Sequence, residues 1–359
     1  MSTTERVFRV AFTGDFYRPD GTPLYREFGL GVLDAQPGIQ YHAFRENLRE
    51  IDPAQIGDAQ GVIVLGPRVT AHSVSNSENL LAFGRFGVGY DSVNVEACTA
   101  ADVALITAVG AVDRSVAEAT LGWMLALTHH VRTKDRLLRE GRWQERTGYM
   151  GRELRGRTLG VVGMGGIGRA LVELLAGFGM NPPLAFDPYL DPHVADRLGV
   201  ELVPLDTLMS QADFVSIHCP LSDKTRNLVG AKELALMKPD AYLLNTARGG
   251  IVDEDALYAV LKDRRIAGAA LDCFVGEPIT TPHRFGEFEQ VLLAPHSIAW
   301  TDEMFRDIGN TVCRAMVELA LGHRPKGVVN AAVLERSGFQ QKWARLQLSG
   351  TETSESPRQ

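Results

Sequence analysis

Only four cysteines occur in this chain of 359 residues, Cys98, Cys219, Cys273 and Cys313, with no C-x-x-C pair and no zinc-type spacing. That excludes a disulfide-stapled scaffold, points to free thiols in a reducing compartment, and gives no metal site to expect. No apolar run approaches the length of a membrane helix, and Met1 to Arg9 is charged and lacks the apolar core of a signal peptide. A cytoplasmic protein with no membrane partner is the expectation. A basic surplus is missing too: 37 Lys and Arg against 44 Asp and Glu leave a net charge of -7, which disfavours nucleic acid as a partner. The short mixed stretch from Arg132 to Arg142 reads as a solvated helix face. Repeats and low-complexity blocks are absent, and the polar tail from Gly350 to Gln359 reads as disordered.

What remains is a globular composition, 45% hydrophobic and 23% charged, long enough for two domains. The most informative segment is Gly163-Met164-Gly165-Gly166-Ile167-Gly168, directly after the apolar run Leu159 to Val162. G-x-G-x-x-G spacing lets a backbone turn tightly, approach a pyrophosphate and pack a helix on a strand, with the phosphates on the helix's N-terminal N–H groups. Asp187, nineteen residues past Gly168, ends the apolar segment Leu184 to Phe186, where a dinucleotide fold places its ribose-binding carboxylate.

From Thr158 onward apolar strands alternate with helical stretches: Leu159 to Val162, Leu184 to Phe186, Phe214 to His218, Tyr242 to Asn245, Ile266 to Leu271 and Val291 to Ala294. Six such strands imply a parallel, doubly wound α/β sheet covered on both faces, with ligands at the carboxyl ends of the strands. Earlier, Val7 to Phe12, Gly61 to Leu65 and Leu105-Ile106 read as strands, and Gly14 to Gly29 as a long loop with aromatic residues. Ser115 and Glu118 have capping-box spacing and would open a long buried helix running toward Gly141.

Several polar residues fall just past strand ends. They are His218 and Cys219; Arg248 in the run Asn245 to Gly250; Asp272; Glu277 before Pro278; and His296. An Arg, a Glu and a His at one sheet edge suit hydride transfer to a keto acid. The arginine orients carboxylate and carbonyl, the histidine exchanges a proton at the oxygen, and the glutamate stabilises the charged imidazole. His218 either contacts a cofactor or bonds a neighbouring group, and Trp300 is either a wall of the substrate site or core.

On these motifs, with Gly87-Val88-Gly89-Tyr90-Asp91, His218-Cys219-Pro220-Leu221, Asn245-Thr246-Ala247-Arg248-Gly249 and Pro295-His296 in order, the chain resembles the D-isomer-specific 2-hydroxyacid dehydrogenases from about Gly84 to Asn330. The resemblance implies a Rossmann-type domain over about 111–299. A smaller flavodoxin-like substrate domain would be assembled from about 1–110 and 300–359, with the active site between the two. It implies Arg248, Glu277 and His296 as catalytic residues, and Val88 and Gly89, with Arg248 and His296, as substrate-binding. Gly163, Gly165, Gly166, Ile167, Gly168 and Asp187 would hold the dinucleotide. His218, Cys219, Pro220, Thr225, Thr246, Ala247 and Asp272 would line its groove. It also implies a small 2-hydroxy or 2-keto acid substrate and a homodimer packed through the Ser115 helix. No arginine follows Asp187 to receive a 2′-phosphate, so NAD (NADH) is expected over NADP.

The chain departs from the family at Thr107 to Asp113, where members carry a proline-containing segment, and at Leu65, where they often carry an arginine. Arg68 either compensates or is solvated. Two other functions share the fold: an NAD(H)-sensing, corepressor-like binding protein and a phosphite dehydrogenase-like oxidoreductase.

Overall fold

The computed structural model describes residues 6–348; the tail from Gly350 lies outside the described residues. The chain divides into two compact units, one formed by residues up to Val112 together with those from Thr301, the other by Asp113–Trp300.

The first unit holds strands β1 (Phe8–Phe12), β2 (Ile39–Ala43), β3 (Gly61–Val64), β4 (Ala82–Arg85) and β5 (Ala104–Thr107), all parallel in the order β2-β1-β3-β4-β5. This is the flavodoxin-like order 2-1-3-4-5. Two of these strands escape a hydrophobicity reading. β2 is an edge strand whose residues are half-buried or exposed throughout. β4 contains Gly84, which reads as a breaker. That glycine lies against a neighbouring helix: a Cβ there would stand 2.8 Å from Met316 Cε on the helix Asp302–Ala320, and that methionine would have to shift. The segment Gly14 to Gly29 is largely irregular but not loose. Its Phe16 and Phe28 are buried and stacked with ring centroids 5.2 Å apart, and Phe12 meets Phe16 edge-on.

The second unit holds β6 (Leu159–Val162), β7 (Leu184–Phe186), β8 (Glu201–Leu202), β9 (Phe214–Ile217), β10 (Tyr242–Asn245), β11 (Gly268–Leu271) and β12 (Val291–Leu293). They form one parallel sheet in the order β12-β11-β10-β9-β6-β7-β8. Renumbered from β6, that is 3-2-1-4-5-6 with one strand added. The order reverses between β6 and β9, the point outside which such sheets bind their ligands. β9, β10 and β11 are buried along their whole length, as strands covered on both faces must be.

The helix expected to open at Ser115 begins at Asp113, so Ser115 lies inside its first turn instead of capping it. It ends at Thr128, and a second helix, Val131–Arg139, follows after His130 adopts φ 52°. Thr128 turns its hydroxyl back onto Met124 O at 2.8 Å, which competes with continuation of the helix. Val116, Ala117, Trp123, Met124 and Leu127 bury the inner face of the first helix, which packs on the helix Gly166–Leu175. Among the described residues no helix is long and apolar enough to cross a membrane.

Candidate active site

β6 delivers the chain to Gly163, whose φ of 98° only glycine adopts readily, and a Cβ there would stand 2.7 Å from Cys219 N. One turn later a Cβ at Gly168 would stand 2.5 Å from Gly163 O, so the helix Gly166–Leu175 lies hard against the strand end. Gly165, by contrast, faces open space within 4 Å. The turn is thus closed on the protein side and open on the other, which is the form of a cradle for a group that approaches backbone N–H donors.

Asp187, just past β7, is tied to this turn. Its Oδ2 accepts from Met164 N at 2.9 Å and its Oδ1 from Tyr189 N at 2.9 Å. A second carboxylate, which no motif of the sequence marks, lies at the same turn. Asp113 lies so close to Gly166 that a Cβ there would overlap its Oδ2, and burial raises its pKa above the ordinary carboxylate value. Its only sequence signal is an acidic residue at a helix start, which is common.

Past β9, His218 places Nε2 2.8 Å from Ser216 Oγ, while its Nδ1 is buried with no partner among the described residues. Burial pushes its pKa down to about 4, so the ring is neutral at physiological pH. Cys219 beside it is half-buried, and burial lifts its thiol to about 11, which leaves it a poor nucleophile. Pro220 and Thr225 form a closed turn in which the Thr225 hydroxyl donates to Pro220 O at 2.6 Å and accepts from Ser222 N at 2.7 Å.

After β10 the buried Asn245 shapes the next loop: its side chain accepts from Ala247 N at 3.1 Å and donates to Arg248 O at 2.9 Å. Thr246 Oγ1 lies 3.4 Å from Thr120 Oγ1, and Arg248 donates Nη1–H to Ala247 O at 2.7 Å.

Parallel pairing of β11 with β12, Leu271 opposite Leu293, brings the residues that follow each strand to one edge. Asp272 is buried and accepts from Ser297 N at 2.9 Å and Ile298 N at 3.2 Å. His296 N in turn donates to Asp272 O at 2.9 Å, and the residue sits at φ 53°. In that pose His296 Nδ1 lies 2.7 Å from Glu277 Oε2, while Glu277 Oε1 accepts from Phe274 N at 2.7 Å. Burial favours the protonated Glu277, but the His296 hydrogen bond and charge, the Phe274 N–H and the Arg248 charge outweigh it and hold the carboxyl below its ordinary value. The two side chains are 30% and 42% exposed, open enough for a small molecule to reach the ring. Trp300, 51% exposed, is not core.

In the first unit, Val88 and Gly89 follow β4, and neither N–H is engaged by an acceptor among the described residues. Arg68 is exposed on an isolated bridge to Glu50.

The 3-2-1-4-5-6 sheet order, the glycine turn and the carboxylate bound to it define a doubly wound dinucleotide fold. Residues 121–297 match the family description "D-isomer specific 2-hydroxyacid dehydrogenase, NAD binding domain". A glyoxylate reductase of Thermococcus litoralis is 33% identical over 298 residues, which are 81% of this chain and 87% of that protein. A D-3-phosphoglycerate dehydrogenase of Methanocaldococcus jannaschii is 36% identical over 302 residues, covering 84% of this chain and 56% of that one. The chain spans about half the length of the curated relatives of the latter name. The solved structure of a glyoxylate reductase from Paecilomyes thermophila matches with a TM-score of 0.78 at 25% identity, over 90% of this chain and 99% of that one. An acyclic imino acid reductase solved with NADPH and D-Arg shares the fold, with a TM-score of 0.77 at 22% identity over 90% and 100%. The chain belongs to the D-isomer-specific 2-hydroxyacid dehydrogenase family.

Burial raises the Asp272 carboxyl from 3.8 to about 6, against the opposing Ser297 and Ile298 N–H groups. Because the folded value lies above the unfolded one, the stability tied to its proton is complete below pH 3.8 and is lost as pH rises through about 6. Urea unfolding of the wild type and of Asp272→Asn should therefore diverge over that window. The wild type should lose on the order of 2 kcal/mol relative to the variant. Parallel stability curves between pH 4 and 7 would contradict this.

Proposed function

We propose that the chain is an NAD-dependent D-2-hydroxyacid dehydrogenase, or 2-keto acid reductase, with His296 and Glu277 as its acid/base pair and Arg248 as its substrate-orienting residue. The observation that carries this reading is the 2.7 Å contact between His296 Nδ1 and Glu277 Oε2, beside an arginine whose charge acts on Glu277. When bound, the nicotinamide dinucleotide supplies or accepts the hydride at the substrate's C2.

The turn at Gly163 to Gly168 fits the pyrophosphate, since it is tight against the protein and open at Gly165. Asp187, its carboxylate fixed beside that turn, suits the two hydroxyls of an adenosine ribose and repels a 2′-phosphate; this favours NAD over NADP. His218, Cys219, Pro220, Thr225, Thr246, Ala247 and Asp272 would line the groove, where the unpartnered Nδ1 of His218 offers a hydrogen-bonding atom.

Arg248 pairs with the substrate carboxylate and polarises the carbonyl. His296 in its imidazolium form gives a proton to the carbonyl oxygen during reduction; the neutral ring takes it back during oxidation. Glu277 stays ionised, holds the ring by Nδ1 and balances the charge it carries. The exposed apolar side chains Val131, Leu138, Trp143 and Met150, which follow the helix Asp113–Thr128, suit burial in a homodimer.

Purified protein should consume NADH faster than NADPH with at least one of glyoxylate, hydroxypyruvate, pyruvate, phenylpyruvate and phosphohydroxypyruvate. His296→Asn should cut that rate by roughly a hundredfold or more while still binding NADH. Wild-type turnover in the variant would overturn the assignment, and tight NADH binding with no turnover of any acid would favour a nucleotide-sensing role. Light scattering at micromolar concentration should report a dimer, and a monomer would contradict the proposed interface.

A further inference from the structure

Cys273 takes no part in the reaction proposed above. Yet its Sγ, a carboxylate oxygen of Glu277 and a ring nitrogen of His296 all lie within 4.8 Å of one another. One sulfur, one oxygen and one nitrogen donor therefore lie together: Cys273 and Glu277 follow β11 four residues apart, and the pairing of β11 with β12 brings His296 beside them. Cys273 forms the buried floor, 3% exposed, with Sγ 3.3 Å from Ala247 O. Glu277 and His296 form the more open side.

We propose that Cys273, Glu277 and His296 form a binding site for a borderline-soft divalent cation, Zn²⁺ foremost, and that its occupation switches the active site off. The inhibitory consequence rests on the proposed function of the Glu277–His296 pair; the binding itself does not.

The donor set selects the metal. Mixed thiolate, imidazole and carboxylate ligands suit zinc and its cobalt surrogate, whereas magnesium and calcium prefer oxygen alone. Three protein ligands and one open position make the usual incomplete tetrahedron. With bonds of about 2.0–2.3 Å, tetrahedral donors stand roughly 3.3–3.8 Å apart, so a separation at the 4.8 Å limit closes by about 1 Å, and the hydrogen-bonded 2.7 Å pair opens if it supplies both donors. Rotation of the partly exposed Glu277 and His296 side chains covers that distance without moving the buried cysteine.

On binding, the Cys273 thiol loses its proton to solvent and the thiolate bonds the metal. The neutral imidazole contributes a ring-nitrogen lone pair, and Glu277 contributes an oxygen that is already ionised. Nothing is oxidised or reduced. With its one lone pair committed to the cation, the ring keeps the proton on its other nitrogen but cannot become an imidazolium, so it cannot cycle the proton exchanged at the substrate oxygen.

Co²⁺ is the direct probe, because a cobalt–thiolate bond gives a charge-transfer absorption in the near ultraviolet that carboxylate and imidazole alone do not. Titrating the full-length, reduced protein with Co²⁺ should produce that band. Cys273→Ala and Cys273→Ser should both lose it, and Cys219→Ala should keep it. In the same preparation Zn²⁺ should inhibit 2-keto acid reduction reversibly with EDTA, and inhibition should be at least about tenfold weaker in Cys273→Ala, since even outer-sphere changes at metal sites cost that much. No band in the wild type, or a band unchanged in both Cys273 variants, overturns the site. A band in a protein that reduces no 2-keto acid upholds the site and overturns the functional reading instead.

Discussion

The hydrogen bond between His296 Nδ1 and Glu277 Oε2 is the contact around which this site is organised, and much of the surrounding backbone exists to hold it. The two residues leave adjacent parallel strands, so sheet pairing brings them to one edge. Two finer constraints complete the geometry. Asp272 holds Ser297 N and Ile298 N with its carboxylate and His296 N with its carbonyl, which keeps the histidine at a positive φ that side chains seldom adopt. Phe274 N fixes the far oxygen of Glu277. A carboxylate anchored at one oxygen and a ring anchored through its own backbone favour this orientation of the metal-free pair, and the ring's other nitrogen lies outside the contact.

The same logic of fixed charge governs the glycine turn. Asp187 is bound to Met164 N, while Asp113 lies against Gly166 at the start of the following helix. Asp187 is the carboxylate proposed to serve the ribose. The other faces the helix end that would receive phosphate, and its raised pKa is what burial of an anion there produces. Between them, the neutral His218 adds a polar atom with no charge.

The second unit was largely readable from sequence because its strands are buried on both faces and appear as continuous apolar runs, Val215 and Leu243 among their centres. The strands that escaped were of another kind. β2 is a half-exposed edge, β8 has two residues, and β4 carries a glycine that packs against Met316. The break at His130 was hidden because charged residues continue the helical pattern past it. Glu277 and His296 stood out as polar residues past strand ends. Asp113 and Cys273 did not, because what distinguishes each is a contact across the fold, with Gly166 in one case and with the Glu277–His296 pair in the other.

The central claim is that Glu277 and His296 act as one unit at the substrate oxygen. Its most direct test is kcat/KM for 2-keto acid reduction in the wild type, Glu277→Gln, His296→Asn and the double variant. Each single change should lower the rate, and the double variant should be no slower than His296→Asn, because Glu277 has nothing to hold once the ring is gone. Losses that add in full would contradict this and reduce Glu277 to a structural neighbour of the histidine.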